Sequence, residues 1–352
     1  MKSKITIALD CMGGDEAPQM VVTGAEIAVE RMPDIFFVLV GDETELSPLI
    51  KSSKHLTASN HKIIHTKNKV AADDKPSVAL RSGKDTSMRL AIDLVAEGDA
   101  HGVVSAGNTG ALMAMSKLAL RMCPGIERPA IASFFPTLRG ESCMLDLGAN
   151  IECSSNNLVQ FAVMGEIFAR IVLGINKPSV GLLNVGSEEQ KGHEELREAA
   201  TVLRESAGSL KFFGFIEGND ITAGTVDVVV TDGFTGNVAL KAAEGTARMF
   251  THFLRSAFRS SILTKLGYLL CKTAVMQLRE RMDPRRYNGA VFLGLNGIAV
   301  KSHGGTDALG FANAIGVASD MAKYGFLEKV KNELGVLHGR ASLEINDEKI
   351  SR

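Results

Sequence analysis

The feature that most constrains the fold is a strand–loop–helix pattern whose loop is rich in glycine. Val226 to Val230 is a β-branched run typical of a buried strand in a parallel sheet. A tight loop from Asp232 to Gly236 follows it, and we predict an Ala- and Leu-rich helix that begins at Asn237. A helix that starts after such a loop exposes backbone N–H groups, and these groups together with the helix dipole favour an anion.

The same plan occurs earlier in the chain. Gly102 to Val104 reads as a strand, S-A-G-N-T from Ser105 to Thr109 as its loop, and Gly110 to Leu120 as a helix. Either loop alone is explained equally well as an ordinary turn. The pair favours a functional interpretation, in which both loops face one ligand across the carboxyl edge of a sheet.

Strands and helices alternate through most of the chain, which predicts a three-layer α/β/α fold with a mostly parallel sheet. Composition does not shift along the chain, so we predict a single domain over residues 1–335 and a disordered polar tail over 336–352. Further strands are predicted at Ile5–Leu9, Ile35–Val40, Lys62–His65, Val180–Val185 and Phe212–Glu217. Two more, Ala130–Phe135 and Ser142–Asp146, are predicted to be joined by a hairpin around Arg139-Gly140.

Composition excludes several classes of function. The net charge of −1, the lack of Trp and the three Tyr argue against a nucleic-acid partner. Five dispersed cysteines fit reduced thiols in the cytoplasm better than a disulfide frame or a zinc site. The sequence has neither G-x-G-x-x-G nor G-x-x-x-x-G-K-[ST] and no metal-ligand spacing, so we expect no nucleotide, no other cofactor and no metal.

One segment differs in charge from the rest of the chain. Arg248 to Arg286 contains nine Lys or Arg and two acids, a net charge of +7, whereas the remainder carries −8. Apolar side chains recur in it at helical spacing, either as a core-facing stripe with a solvated basic face or as a basic amphipathic pair of helices on an anionic membrane. The scarcity of acids slightly favours the membrane, with contacts predicted at Phe250, Phe253, Leu254, Phe258 and Ile262.

The loops taken together are more specific than any one of them. D-C-M-G-G-D, S-A-G-N-T-G-A-L, L-D-L-G-A-N, N-V-G-S-E-E-Q-K-G, T-D-G-F-T-G-N-V and K-S-H-G-G-T-D occur in this order. The set resembles the bacterial phosphate acyltransferase family, or acyl-acyl-carrier-protein:phosphate transacylases, over Ile5 to Leu334. The departures are Cys11, where the family usually has Ala, and Thr231, where Cys is common.

The resemblance implies a homodimeric enzyme of phospholipid synthesis that moves a long acyl chain from acyl carrier protein to inorganic phosphate. It implies a fold similar to phosphotransacetylases and isocitrate-type dehydrogenases, with a protruding amphipathic helical element on the inner face of the cell membrane. The membrane glycerol-3-phosphate acyltransferase that uses acyl phosphate would be a further partner. The alternatives are a short-chain phosphotransacylase that uses acyl-coenzyme A and a non-catalytic membrane-surface scaffold.

The implied chemistry is phosphorolysis of a thioester. Phosphate attacks the acyl carbonyl, an oxyanion develops, and the phosphopantetheine thiolate leaves, so the protein must aim two anions and donate hydrogen bonds where charge develops. We predict Lys191 and Asn237 as the catalytic pair, a compact cation and an amide donor. A solvated loop lysine and a plain helix N-cap are the simpler explanations of the same two residues.

Further loop residues are candidates for substrate binding. Asp10, Asp15 and Asp232 are expected to end loops near the same sheet edge, where they would orient Lys191, protonate the leaving thiolate or only cap helices. His303 would serve as acid or base unless it is structural. Cys11 and Cys143 are not expected to act as nucleophiles. The complete predicted set is Asp10, Gly13, Gly14, Asp15, Gly107, Asn108, Thr109, Asn150, Asp232, Gly233 and His303.

Overall fold

The computed structural model describes residues 4–205, 210–281, 283–333 and 335, and the predicted tail over 336–352 lies outside these residues. Helices and strands alternate as the apolar runs predict. In chain order the elements are β1 (Ile5–Asp10), α1 (Gln19–Arg31), β2 (Ile35–Gly41), α2 (Glu43–Ser52), β3 (His61–His65), α3 (Pro76–Ser82), α4 (Ser87–Glu97), β4 (Gly102–Ser105), α5 (Thr109–Leu120), β5 (Ala130–Thr137), β6 (Gly140–Leu145), α6 (Ser155–Val172), β7 (Ser179–Leu183), α7 (Glu194–Glu205), β8 (Lys211–Ile216), α8 (Gly218–Ala223), β9 (Val228–Val230), α9 (Gly233–Arg259), α10 (Ile262–Arg281), a short 3-10 helix (Pro284–Tyr287), β10 (Ala290–Leu293), β11 (Ile298–Lys301) and α11 (Ala308–Lys323).

One sheet carries all of these strands in the order β3-β2-β1-β4-β11-β10-β5-β6-β9-β7-β8. Both flanks are parallel, which confirms the predicted mostly parallel sheet, but three adjacent pairings at its centre are antiparallel: β11 with β10, β10 with β5, and β5 with β6. An odd number of reversals means that β1, β4 and β11 run opposite to β6, β9 and β7.

This reversal corrects the expectation that the two glycine loops face one ligand at one sheet edge. The carboxyl ends of β4 and β9 lie at opposite edges of the sheet. Five strand spacings, about 24 Å, also separate β4 from β9 across the sheet. Within one subunit, therefore, a single phosphate cannot contact both loops.

Helices cover both faces of the sheet, as three layers require. Ile7 and Leu9 of β1 pack in a cluster with α1, α6 and α11, whereas Ala8 between them packs in a second cluster with α4 and α5. Alternate residues of one strand thus face opposite helical layers. Helix α6 is buried along most of its length, as its nearly uninterrupted apolar sequence predicts.

One predicted helix boundary agrees with the structure and another does not. The helix predicted from Val78 to Glu97 does break near Gly83, into α3 and α4. The helix predicted to begin at Asn237 begins at Gly233 instead, because the Asp232 carboxylate accepts the backbone N–H of Thr235 at 2.8 Å and caps the helix. Asn237 therefore lies in the second turn of α9.

Helices α9 and α10 form an arm, defined here as residues 238–281, that leaves the sheet. Of the 27 residues of α9, only Gly233 and Gly236 in its first turn are buried. The two helices pack against each other, with the rings of Phe258 and Tyr268 in edge contact at 5.3 Å. Leu240 and Ala243, at the base of the arm, still pack against a buried cluster, but the apolar stripe from Phe250 onward belongs to no core cluster of the described subunit. The core-facing interpretation of the stripe is therefore wrong.

Many apolar side chains of the arm face solvent in the subunit. Ile262, Leu263 and Leu270 are at least 80% exposed. Of the predicted membrane contacts, Phe250, Phe253 and Ile262 are exposed, whereas Leu254 and Phe258 are half-buried within the arm. Every helix in the part of the chain that the structure describes is too short or too polar to cross a bilayer.

Candidate active site

Three buried polar residues end neighbouring parallel strands at one edge of the sheet. Asp10 of β1 pairs in register with Ser105 of β4, and Ser105 pairs in register with Lys301 of β11. Residues in register on adjacent strands point to the same face, so the three side chains form a row. We call this row and the loops above it the Asp10 edge.

Asp10 is nearly inaccessible and its carboxylate is well supplied with donors. The hydroxyls of Ser87 and Ser105 each donate to it at 2.6 Å, and the N–H of Met12 donates at 3.3 Å. Burial raises the pKa of Asp10, while the three donors and the charge of Lys301 oppose the rise. Asp10 thus organises the β1 end, and the structure places it there as an anchor of the loops.

Lys301 is the cation of this edge, and sequence reasoning missed it. The side chain is 9% exposed, and its ammonium donates to the carbonyl oxygens of Ala106, at 3.3 Å, and of Ser302. Burial lowers the pKa of Lys301 to about 8, against the opposing charges of Asp10 and Asp15. A lysine after an apolar run is usually solvated, so only the pairing of β11 with β4 reveals its burial.

Glycines allow the loops of the Asp10 edge to pack directly on one another. A Cβ on Gly13 would lie 2.4 Å from Asp10 Oδ2 and 2.8 Å from the nitrogen of Gly107. Gly14 has φ +112°, and a Cβ there would lie 2.9 Å from the Cβ of Ala106. The predicted residues Gly13, Gly14 and Gly107 are therefore needed for backbone packing at this edge.

Asp15 and His303 border the same edge from opposite loops. The N–H of Asp15 donates to the carbonyl of Gly304 at 3.0 Å, which joins the β1–α1 loop to the loop after β11. His303 is exposed, and its Nδ1 accepts the N–H of Gly305 at 3.1 Å, which leaves Nε2 as the donor of the neutral ring. Both side chains are exposed, and the charge of Asp15 acts on Lys301.

Asn108 caps α5 and has little capacity left for a ligand. Its Oδ1 accepts the N–H of Ala111 at 3.0 Å, and its Nδ2 donates to the carbonyls of Ala72 and Asp74, each at 2.9 Å. The backbone N–H of Thr109 in the first turn remains one of the groups that a helix N-terminus leaves for an anion. The structure therefore assigns Asn108 an anchoring role.

The second group of predicted residues surrounds Asp146 at the opposite edge, which we call the Asn237 edge. The fully buried Asp146 carboxylate accepts the N–H groups of Ile131, Gly148, Ala149 and Asn150 at 2.8 to 3.2 Å. This carboxylate organises the loop after β6, and the motif L-D-L-G-A-N contains it. The predictions omitted Asp146 because only its burial distinguishes it from the other acids.

Asn150, Asp232 and Gly233 join that loop to the start of α9. The Asn150 amide donates to the carbonyl of Pro129 at 2.7 Å and to Asp146 at 2.8 Å, and its own carbonyl accepts the N–H of Gly233 at 2.7 Å. Asp232 is the helix cap, the simplest of its predicted roles. Asp232 also lies at the edge opposite Asp10 and Asp15, which corrects the expectation that the three share one edge.

The predicted catalytic pair lies at the Asn237 edge. The Nδ2 of Asn237 donates to the carbonyl of Leu147 at 3.1 Å and lies over Gly148, where a Cβ would come within 3.2 Å of it. Lys191 follows β7, whose partner β9 leads into α9, so both residues follow adjacent parallel strands. Lys191 is exposed, and its ammonium makes no hydrogen bond or ion pair within the described residues.

Cysteine chemistry has no support in this geometry. Cys11 and Cys143 are fully buried, and burial raises the pKa of both thiols above their ordinary range. A buried thiol with a raised pKa is a poor nucleophile. This agrees with the expectation that neither cysteine reacts.

Solved structures of two named enzymes share this fold. A phosphotransacetylase from Streptococcus pyogenes superimposes with a TM-score of 0.62 at 18% identity, over 92% of this chain and 95% of that one. A 4-hydroxythreonine-4-phosphate dehydrogenase from Klebsiella pneumoniae does so with a TM-score of 0.53 at 15% identity, over 91% and 98%. The protein has the phosphotransacetylase-like class of α/β/α fold.

Sequence comparison defines the family more narrowly. The family model described as "fatty acid synthesis protein" matches residues 5–329. Phosphate acyltransferases from Rhodospirillum centenum and Rhodospirillum rubrum are 64% and 57% identical, over 98% and 95% of this chain and 96% and 95% of theirs. The chain belongs to the phosphate acyltransferases of the fatty acid synthesis protein family, and it is an acyltransferase.

Proposed function

We propose that the protein transfers a long-chain fatty acyl group from acyl carrier protein to inorganic phosphate, and so releases acyl phosphate for phospholipid synthesis. The observation that carries this proposal is the course of α9. The helix begins among the Asn237 edge residues and continues into the exposed apolar arm. An acetyl group needs no apolar surface beyond the reacting carbon, whereas a long acyl chain does. The geometry thus favours a long-chain donor over a short-chain coenzyme A ester.

Lys191 and Asn237 suit the reaction as donors to developing charge. A phosphate oxygen bonds to the acyl carbon, the carbonyl oxygen becomes an oxyanion, and the C–S bond then breaks to release the thiolate, which takes up a proton. The Asn237 side chain is held by Leu147, so its position needs little reorganisation during the reaction. The ammonium of Lys191 is unpaired within the described part of the subunit and is available to an anion.

We further propose that the protein acts as a homodimer on the inner face of the membrane. The two edges of one sheet are separated, so a second subunit is needed to bring an Asp10 edge close to an Asn237 edge. The arm combines exposed apolar side chains with a segment of net charge +7, and this combination suits binding to an anionic bilayer. A protein bound there would release acyl phosphate close to a membrane glycerol-3-phosphate acyltransferase.

A product assay tests the proposal. The protein is incubated with phosphate and either long-chain acyl carrier protein or acetyl-coenzyme A, and acyl phosphate is measured. We expect product from the long-chain carrier substrate alone. Product from acetyl-coenzyme A at an equal or greater rate would support the short-chain alternative, and no product from either would refute acyl transfer to phosphate.

No metal or cofactor is required for this chemistry, because phosphate is already a nucleophile and the sequence lacks metal-ligand spacing. Dialysis against EDTA should therefore leave the rate of acyl phosphate formation unchanged. Activity that disappears on dialysis and returns with an added divalent cation would contradict this expectation.

A further inference from the structure

Lys301 is a buried cation without an anionic partner. Its side chain is 9% exposed, yet no carboxylate of the described residues lies within 4.0 Å of its ammonium. Buried lysines are rare unless they are paired, because removing an ammonium from water is costly. The two carbonyl acceptors, those of Ala106 and Ser302, account for two of its three donors.

Asp10 does not fill the missing place, although it is nearby. Its carboxylate is occupied by the hydroxyls of Ser87 and Ser105 and the N–H of Met12. Asp10 and Asp15 influence Lys301 through their charge alone, since neither forms a direct contact with its ammonium. The remaining donor of Lys301 has no acceptor within the described residues.

The surroundings of this cation suit a small anion. Lys301 ends one of three parallel strands whose carboxyl ends meet in register, the position where ligands bind in open α/β sheets. The loop after Ser105 leads into the N-terminus of α5, a helix of 12 residues. Three glycine-bearing loops pack closely over the row. We propose that inorganic phosphate, the nucleophile, binds at the Asp10 edge with Lys301 as its charged partner.

This inference rests on the proposed function for the role of the phosphate but not for its binding. In this arrangement each edge has a different role: Lys301 at the Asp10 edge binds the phosphate nucleophile, and Lys191 and Asn237 at the other edge stabilise the acyl oxyanion. It also makes phosphate binding dependent on pH. Burial has lowered the pKa of Lys301 to about 8, so the cation that attracts phosphate is lost as the pH rises through that value.

The charged groups that face Lys301 are Asp10 on β1 and Asp15 on the loop that follows it, and His303 is the other titratable group of the edge. Bound phosphate should in turn raise the pKa of Lys301, since an added negative charge favours the ammonium form. Affinity should therefore be greatest below pH 8 and decline above it. A His303→Gln variant separates the contribution of the imidazole from that of the lysine.

The first experiment needs no acyl donor. Inorganic phosphate should raise the thermal midpoint of the wild type above that in potassium chloride of matched ionic strength, because a ligand of the native state stabilises it. Lys301→Met should bind phosphate at least about tenfold more weakly, the loss expected for one charged donor. The matched control Lys177→Met removes one exposed lysine and should respond as the wild type does.

The second experiment uses turnover. Lys301→Met should raise KM for phosphate by about tenfold or more, whereas KM for the acyl donor should change little, a division that a purely structural role would not produce. Lys301→Arg keeps a charge above pH 8, and where it folds its KM for phosphate should not increase between pH 8 and 9.5 as that of the wild type does.

Three outcomes would decide whether phosphate binds at Lys301. An unchanged phosphate-dependent midpoint shift in a folded Lys301→Met variant would overturn the inference, as would a wild-type phosphate affinity that is flat from pH 7 to 9.5. If Lys301→Met does not fold, the pH profile of the wild type and of His303→Gln still decides it. A wild type that binds phosphate through Lys301 but forms no acyl phosphate would refute the proposed function and leave this inference standing.

Discussion

One amide proton of Asn237 is donated to the Leu147 carbonyl, and the other is left for a developing oxyanion, while Lys191 at the same edge is unpaired in the described subunit. We predict that Lys191→Ala and Asn237→Ala each lower turnover by about two orders of magnitude or more, the usual loss for one oxyanion donor. Folding should be unaffected, because both side chains lie at the surface. Rates of acyl phosphate formation and thermal midpoints provide the measurement.

Lys241→Ala is the matched control for that pair. Lys241 lies one turn beyond Asn237 on α9, and its ion pair with Glu244 is exposed, so its loss should not alter turnover. If turnover of the Lys191 and Asn237 variants stays within about threefold of the wild type, well short of the loss expected for an oxyanion donor, neither residue acts in the reaction.

Gly236 makes the closest backbone approach at the Asn237 edge. A Cβ there would lie 1.9 Å from the carbonyl oxygen of Asp146, so either α9 or the loop after β6 would have to move. Gly236→Ala should therefore lower the free energy of unfolding by about 3 kcal/mol or more. Gly245→Ala in the same helix meets no atom within 4 Å and should instead stabilise by about 0.5 to 1 kcal/mol. Denaturant titration measures both, and an equal effect of the two variants would show that the contact does not matter.

At the scale of elements, the arm joins an exposed apolar surface to a basic segment. Ile262 and Leu270 are 84% and 86% exposed, so Ile262→Glu and Leu270→Glu should abolish co-sedimentation with anionic vesicles and leave the thermal midpoint unchanged. They are better probes than Leu254 or Phe258, which are half-buried within the arm. Wild-type binding should also weaken in high salt and on neutral vesicles.

Thr273→Glu places the same charge on an exposed polar position of α10 and serves as the control. We expect it to bind anionic vesicles nearly as well as the wild type. Sedimentation velocity must accompany the vesicle assay. If the two apolar-to-Glu variants separate the subunits instead of releasing the vesicles, the arm is a subunit interface and the membrane interpretation fails.

Most helices and strands could be predicted, because apolar residues recur with a period of about 3.6 in helices and form short β-branched runs in buried strands. The start of α9 was predicted at Asn237 instead of Gly233, because Asp232 and Asn237 can both cap a helix and only packing decides between them. Lys301 was missed for a related reason. Its burial depends on the pairing of β11 with Ser105, almost two hundred residues earlier in the chain, and local sequence contains no information about that pairing.

At the scale of the whole molecule, the reversal at the centre of the sheet separates the two groups of site residues. The hairpin predicted around Arg139-Gly140 accounts for the antiparallel pairing of β5 with β6, but no local pattern indicates the pairings of β10 with β5 and with β11. If one reaction uses both edges, each active site of a twofold dimer takes its Asp10 edge from one subunit and its Asn237 edge from the other.

Mixed dimers test this arrangement. At phosphate concentrations below the wild-type KM, Lys191→Ala and Lys301→Met should each keep about a tenth of wild-type activity or less alone. After unfolding and refolding together they should recover roughly a quarter of wild-type activity, because half of the dimers then contain one intact site of two. Refolding Lys191→Ala with Asn237→Ala is the control. If Lys191 and Asn237 act from the same subunit, every site of the mixed dimer carries one of the two changes, and no activity should be recovered. Recovery limited to the background of the separate variants would place the whole reaction within one subunit.

The unbroken run of α9 from Gly233 to Arg259 sets a fixed distance along one helix. Phe250 follows Asn237 by thirteen residues, so the helix places the first predicted membrane contact about 20 Å beyond the Asn237 amide proposed to meet the thioester. A fatty acyl tail of similar length could lie along α9 with its methyl end at the bilayer while its carbonyl group reacts. Substrate length would then be gauged against a single helix, and removing two of its turns would shift the preferred acyl chain toward fewer carbons.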